Sequence, residues 1–189
     1  SKIIITVSFV LCVGYALFLG CKSTPHYRLA QFISPSTCGG CHDEIYEQWK
    51  NSMHNLSQKD VIYKEFARFY LDDSKSQNPV NNDELKEAES CVKCHIPVGY
   101  ITGKPLSVTE ELSMEKDLPE ITVEGIQCDY CHTIVEAKKH YNAHFMYKPG
   151  NGEADPGVKR GPFKDANPDW HTAAYSSFHT KADFCGTCH

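Results

Sequence analysis

Cysteine outside one repeated motif is nearly missing from this 189-residue chain: of ten cysteines, only Cys12 and Cys21 stand apart from four C-x-x-C units. That leaves little material for a disulfide framework, and a chain of this length does not need the stapling on which short secreted domains rely. A basic patch with interleaved aromatics is also absent. With 19 Lys and Arg against 24 Asp and Glu, for a net charge of -5, nothing suits the chain to binding nucleic acid. Methionine is scarce, and Met53, Met114 and Met146 read as gap-fillers before they read as metal ligands. No strict repeat runs through the chain either. The C-x-x-C units begin at the uneven positions 38, 91, 128 and 185, which excludes a repeat array.

What is present in excess is histidine, and its placement is not random. Each C-x-x-C unit ends in one: Cys38, Cys41 and His42 in CGGCH; Cys91, Cys94 and His95 in CVKCH; Cys128, Cys131 and His132 in CDYCH; Cys185, Cys188 and His189 in CGTCH. Zinc knuckles use paired cysteines but need no histidine fixed after each second cysteine, and thioredoxin-like redox pairs need none at all. Covalent haem needs all three residues. Two thiols on one short helical turn bond to the vinyl carbons on one edge of the porphyrin, and the neighbouring imidazole is directed at the iron. The sequence therefore implies four c-type haems. With roughly 40 residues for each, the chain is too short to wrap every haem in its own domain, so the porphyrins must supply much of the core and lie close enough to exchange electrons. Their propionates make the loaded protein more acidic than its sequence.

Residues 2–21, KIIITVSFVLCVGYALFLGC, are one lysine and about 18 mainly apolar residues ending in cysteine. The run fits an export signal, a lipoprotein signal that would lipidate Cys21, or an uncleaved helical anchor. All three readings place the remainder outside the cytoplasm, at the periplasmic face or cell surface and, for two of them, tied to the membrane. The domain division is 1–21 as signal or anchor and 22–189 as the haem-bearing part.

Six histidines remain to close the second axial positions: His26, His54, His140, His144, His171 and His179. His54 lies about 18 Å of helix beyond His42, and His140 about 12 Å beyond His132, too far in each case to reach round to the haem held by the nearby motif. Each should serve a different haem. His171, with Asn167 and Pro168 before it, sits on a predicted helix with Tyr175, Phe178 and His179. His144 and His179 are weaker candidates, and His26 reads as solvated.

The segments CGGCHDEIYEQWKNSMH, SCVKCHIPVGY, VEGIQCDYCHTI and FCGTCH, in that order, resemble the tetrahaem cytochrome c family typified by the electron acceptor of hydroxylamine oxidoreductase. The similarity covers most of residues 36–189. It implies that His54 ligates the third haem and His140 the first, and that the second haem can lack a distal protein ligand, with His171 the leading candidate to close it. In that family the fourth haem takes its distal ligand from sequence beyond the last motif. Here an upstream histidine, a neighbouring subunit or a longer natural chain would have to supply it.

The expected fold is mainly α, with short helices and long loops around four packed haems. Helices are predicted over 41–54, 60–71, 83–94, 125–137 and 168–180, and a β-hairpin within 141–163. The expected function is single-electron transfer between redox partners, such as other cytochromes or quinol oxidase or reductase modules, with the protein held at the membrane by its N-terminal anchor. Two alternatives are a small multihaem reductase acting on a nitrogen or sulfur oxyanion at an open haem near Lys93 and Tyr100, and a self-assembling unit of an extracellular electron-conducting structure.

Overall fold

A computed structural model describes residues 27–74 and 90–189. The apolar segment 2–21 with Cys12 and Cys21, His26, and the greater part of the helix predicted over 83–94 lie outside the described residues. Among the described residues no helix is long and apolar enough to cross a membrane.

Short helices dominate the first two thirds. They are α1 (Pro35–Gly39), α2 (Asp43–Lys50), α3 (Met53–Leu56), α4 (Val61–Ser74), α5 (Val92–His95), α6 (Pro97–Ile101), α7 (Val108–Ser113), α8 (Glu120–Val123) and α9 (Cys128–His132). Local chemistry starts them. Ser34 accepts from the Ser36 amide ahead of Pro35 at the first turn of α1, and Ser107 accepts from the Glu110 amide to open α7. Asp43 and Glu44 at the start of α2 and Lys50 at its end complement the helix dipole.

After α9 the chain turns to strands. β1 (Ile134–Ala137) pairs antiparallel with β2 (Phe145–Tyr147), and β3 (Val158–Gly161) pairs parallel with β4 (Thr172–Tyr175) before a last helix, α10 (Ala182–Gly186). Three predictions are corrected here. The helix expected over 125–137 stops at His132, because the β-branched run Thr133, Ile134, Val135 favours extended backbone and finds a partner strand. The hairpin expected within 141–163 pairs β2 backwards with β1 instead, and the polar stretch 149–157 leads on to β3. The helix expected over 168–180 is replaced by β4, where pairing with β3 overrides the helical spacing of the aromatics, and only Phe178–Thr180 at its end form a single 3-10 turn. Short helices thus predominate as expected, joined by a small antiparallel hairpin and one parallel strand pair.

The polypeptide core is small. Among the described residues thirteen hydrophobic side chains are buried, and the larger of two clusters gathers Phe32, Val98, Tyr130, Ile134, Phe145 and Tyr147, with the Tyr130 and Tyr147 hydroxyls 2.8 Å apart. Asp129, fully buried inside CDYCH, accepts from the Ile33 amide at 3.0 Å and pairs with Lys159 on β3, so the third motif is tied to both the entering chain and the second sheet. On α4 the helix is as predicted, but the apolar spacing Ile62, Phe66, Tyr70 that suggests it does not mark the buried face: Tyr63 and Ala67 are buried, whereas Ile62 and Phe66 are over half exposed.

Gly125 locks the α2–α3 segment against the third motif. The Ile126 amide donates to the His54 carbonyl at 2.9 Å and the Trp49 indole to the Ile126 carbonyl at 2.8 Å. Gly125 has φ +69, and a Cβ there would sit 2.3 Å from the His54 carbonyl oxygen. Gly125→Ala is expected to cost at least about 1–3 kcal/mol, from backbone strain and the forced displacement of α3, measurable as a lower midpoint in denaturant.

A second test concerns Glu111 in α7, where burial pushes the carboxyl above the usual carboxylate range. The folded state therefore binds this proton more tightly than the unfolded one. Its stabilising contribution is complete below the ordinary carboxylate pKa and is lost as pH rises through the raised value. Unfolding free energies measured against pH should show this decline, and Glu111→Gln should flatten it.

Candidate haem sites

In three of the four motifs one helical turn does the local work. The His42 amide donates to the Cys38 carbonyl at 2.9 Å, His95 to Cys91 at 3.1 Å and His189 to Cys185 at 3.1 Å, and the third motif coincides with α9. Each turn brings two thiols and the start of an imidazole to one side of the backbone, the arrangement that covalent haem attachment requires.

The histidine rings then fall into pairs drawn from distant parts of the chain. His42 faces His171, His54 faces His189 and His132 faces His179, each pair with ring centres 6.3 Å apart. Two imidazoles bound to opposite sides of one iron should have this separation: N–metal bonds of about 2.0–2.1 Å and roughly 1.1 Å from each nitrogen to its ring centre place the centres about 6.2–6.4 Å apart. The hydrogen bonds agree. His132 Nδ1–H donates to the Arg160 carbonyl at 2.6 Å, and His179 Nε2–H donates to the Cys131 carbonyl at 3.1 Å. A ligating histidine is usually held in this way through its other nitrogen. His179 Nδ1 is meanwhile buried without a partner, as a nitrogen reserved for a metal would be. Partial desolvation, aided by His189 beside His54 and by His132 and Arg160 beside His179, keeps both rings below the ordinary imidazole range, in the neutral form a ligand needs. The residues present fit bis-histidine haem at three positions.

His95, in the second motif, differs. Its Nδ1–H donates to the Ser57 carbonyl at 2.7 Å, and its ring lies flat against Tyr63 at 3.9 Å and 6°. Among the described residues no histidine ring stands opposite it at the separation of the other three pairs.

The histidines expected as ligands fall as follows. His54 stands opposite His189, not His132. His171 stands opposite His42 and not His95. His140 is exposed in the turn between β1 and β2 and meets no motif histidine, because the chain leaves the helix at His132 and folds back as a hairpin. His144 lies in the same turn, with its ring against Tyr141 and with Lys93, Lys139 and Lys138 nearby. His179, rated weak from sequence, is the partner of His132. The signal that could have found it is Phe184 and Phe178 close in sequence, which pack around its ring.

The motifs themselves associate in two pairs that nothing in the sequence announced. The Cys38 and Cys128 thiols are hydrogen-bonded, and so are those of Cys94 and Cys188, so the first motif abuts the third and the second abuts the fourth. Hydrogen bonding to these partners, with burial, holds Cys128 and Cys188 protonated, and burial pushes the Cys131 thiol up to about 12. The same contacts hold the Cys38 and Cys94 thiols below the ordinary thiol range. Among the described residues no group of three or more His, Cys, Asp or Glu side chains is placed to hold a metal ion. Large apolar side chains on the two helices that lead to and carry His54, Ile45, Met53 and Leu56, are exposed, as the lining of a porphyrin face would be in the bare polypeptide.

Residues 37–133, just over half of the chain, match the family model of cytochrome c554 and c-prime. The fold is similar to the crystal structure of a penta-heme cytochrome c552 from Thermochromatium tepidum, with a TM-score of 0.53 and 21% sequence identity, over 85% of this chain and 46% of that one. The chain thus spans less than half the length of that neighbour. No curated protein matches it. Four Cys-x-x-Cys-His turns, histidine rings set in facing pairs and the family match agree: the chain belongs to the cytochrome c554 and c-prime family, binds c-type haem covalently and is an electron-transfer cytochrome.

Proposed function

We propose that the chain is an exported tetrahaem cytochrome that passes single electrons between redox proteins, other cytochromes or quinol oxidase or reductase modules being the partner class. The observation that carries this is the triple recurrence of facing histidine rings at 6.3 Å, each pair including one motif histidine. In this reading Cys38 and Cys41, Cys91 and Cys94, Cys128 and Cys131, and Cys185 and Cys188 tether the haems. The axial pairs are His42 with His171, His132 with His179 and His189 with His54, and His95 holds the second haem. The bound haems supply a reversible one-electron couple at each iron. The protein's residues orient the imidazoles, exclude water and keep the ligand nitrogens neutral.

Bis-histidine ligation biases potentials downward relative to His/Met ligation and leaves an iron no open position, which suits a carrier. The contacts between motifs one and three, and between two and four, support two close haem pairs and hence short electron steps. Export follows from the chemistry of attachment and from the apolar segment 2–21, with Cys21 as the residue a lipid anchor would use. Self-assembly into a larger conducting structure is a further role open to such a carrier.

One observation favours a second reading. His95 has no facing histidine among the described residues, so the second haem offers an iron face to a small ligand, and a reductase acting on a nitrogen or sulfur oxyanion would use it. Lys93 and Tyr100, whose ring lies 5.6 Å from the Lys93 ammonium, are near that motif.

Intact mass of the exported protein should exceed that of the polypeptide by four haems, and a smaller increment would refute the count. His54→Ala should convert one low-spin ferric haem to high-spin and raise one midpoint potential, with His140→Ala leaving the spectrum unchanged. Nitrite, hydroxylamine or cyanide should perturb at most one haem in the wild type. Turnover of nitrite or hydroxylamine with a reduced dye would decide for the reductase.

A further inference from the structure

Three of the four motif histidines face another histidine, and the fourth faces a tyrosine clamped from behind. The Tyr63 ring lies parallel to the His95 imidazole, 3.9 Å from it and 6° from coplanar. Its hydroxyl donates to Glu111 Oε2, and Gln58 Nε2 donates to Glu111 Oε1 at 3.2 Å. All three side chains are buried, Glu111 to 1% exposure and Gln58 to 3%. The residue preceding Gln58 completes the circuit: Ser57 accepts from His95 Nδ1–H through its carbonyl and donates its hydroxyl to the His95 carbonyl at 3.0 Å.

A buried carboxylate is costly to keep unless it serves its neighbours, and here one oxygen holds the Tyr63 ring that packs on the imidazole and the other holds Gln58, next in the chain to the Ser57 whose carbonyl accepts from it. Tyr63 and Glu111 come from α4 and α7, and the Ser57–Gln58 turn is held between them. None of these residues belongs to the haem motifs or to the paired histidines.

We infer that Tyr63 and Glu111 are positioning residues for the axial imidazole of the second haem: Glu111 fixes the Tyr63 phenol, and the Tyr63 ring with the Ser57 carbonyl fixes the rotation of the His95 ring. The inference rests on the reading that a haem is attached at Cys91 and Cys94. An imidazole held by one strong hydrogen bond can still rotate about its metal bond. A flat aromatic ring packed against its face removes that freedom, and a carboxylate anchor prevents the aromatic ring from swinging away. Axial-ligand orientation and hydrogen bonding are among the levers by which a protein sets haem potential, so the clamp gives the second haem a potential of its own.

The test uses the fully haem-loaded protein and three variants, Tyr63→Leu, Tyr63→Phe and Glu111→Gln, read by haem-resolved redox titration and ferric electron paramagnetic resonance. Intact mass of each variant first establishes that a haem sits on the second motif. A wild-type protein lacking that haem overturns the functional reading itself, whatever the clamp does. With the haem attached, Tyr63→Leu should shift one midpoint potential and broaden one ferric signal while leaving the other three haems unchanged. Tyr63→Phe, which keeps the stacked ring, should restore most of that shift, and Glu111→Gln, which keeps an acceptor, should fall between the two. Four unchanged midpoints in Tyr63→Leu, or an equal displacement of all four as general loosening would produce, overturns the inference. So does a Tyr63→Phe variant no closer to the wild type than Tyr63→Leu.

Discussion

Distant stretches of this chain meet at pairs of histidine rings set a metal-ligand width apart, and the rest of the structure is arranged to deliver those rings. Thirteen buried hydrophobic side chains make a modest core for the described residues, nine of them in two separate clusters. Where a conventional domain would close its layers with leucine and isoleucine, this one brings His171 to His42, His54 to His189 and His179 to His132. The elements that deliver them are short for the same reason. A five-residue helix suffices when its task is to present two thiols and an imidazole, and a four-residue strand suffices when its neighbour is a ligand.

The supporting contacts serve those deliveries. Gly125 lets the third motif pass against the His54 carbonyl, and the Trp49 indole fastens the same crossing. The Asp129–Lys159 pair ties that motif to β3, whose Arg160 carbonyl in turn orients His132. Loss of one such contact would be felt at a ligand some distance away, since the backbone between is stiff and the ring separation is narrow.

The haem attachments were legible because they are local. Three residues of fixed type on one helical turn are a pattern that sequence displays in full; the helix at 43–50 followed from the acidic residues at its start, and the one at 61–74 from apolar spacing. The distal partners were not legible in this way. His140 and His171 both occupied plausible helical spacings, yet a β-branched run after His132 and strand pairing at Thr172–Tyr175 decided their positions, and each depends on a partner strand remote in sequence. The burial of Tyr63 in place of Ile62 shows the same limit on a smaller scale: apolar spacing predicted the helix, and what packed against it chose the face.

The two kinds of bond also differ in when they can form. The Cys-to-His turn closes over five residues, whereas His42 with His171 and His54 with His189 close loops of well over a hundred. Loop-closure entropy therefore sets the two apart: a motif turn forms at little cost wherever the chain is, whereas the facing of His42 with His171 or of His54 with His189 waits on the folding of nearly everything between.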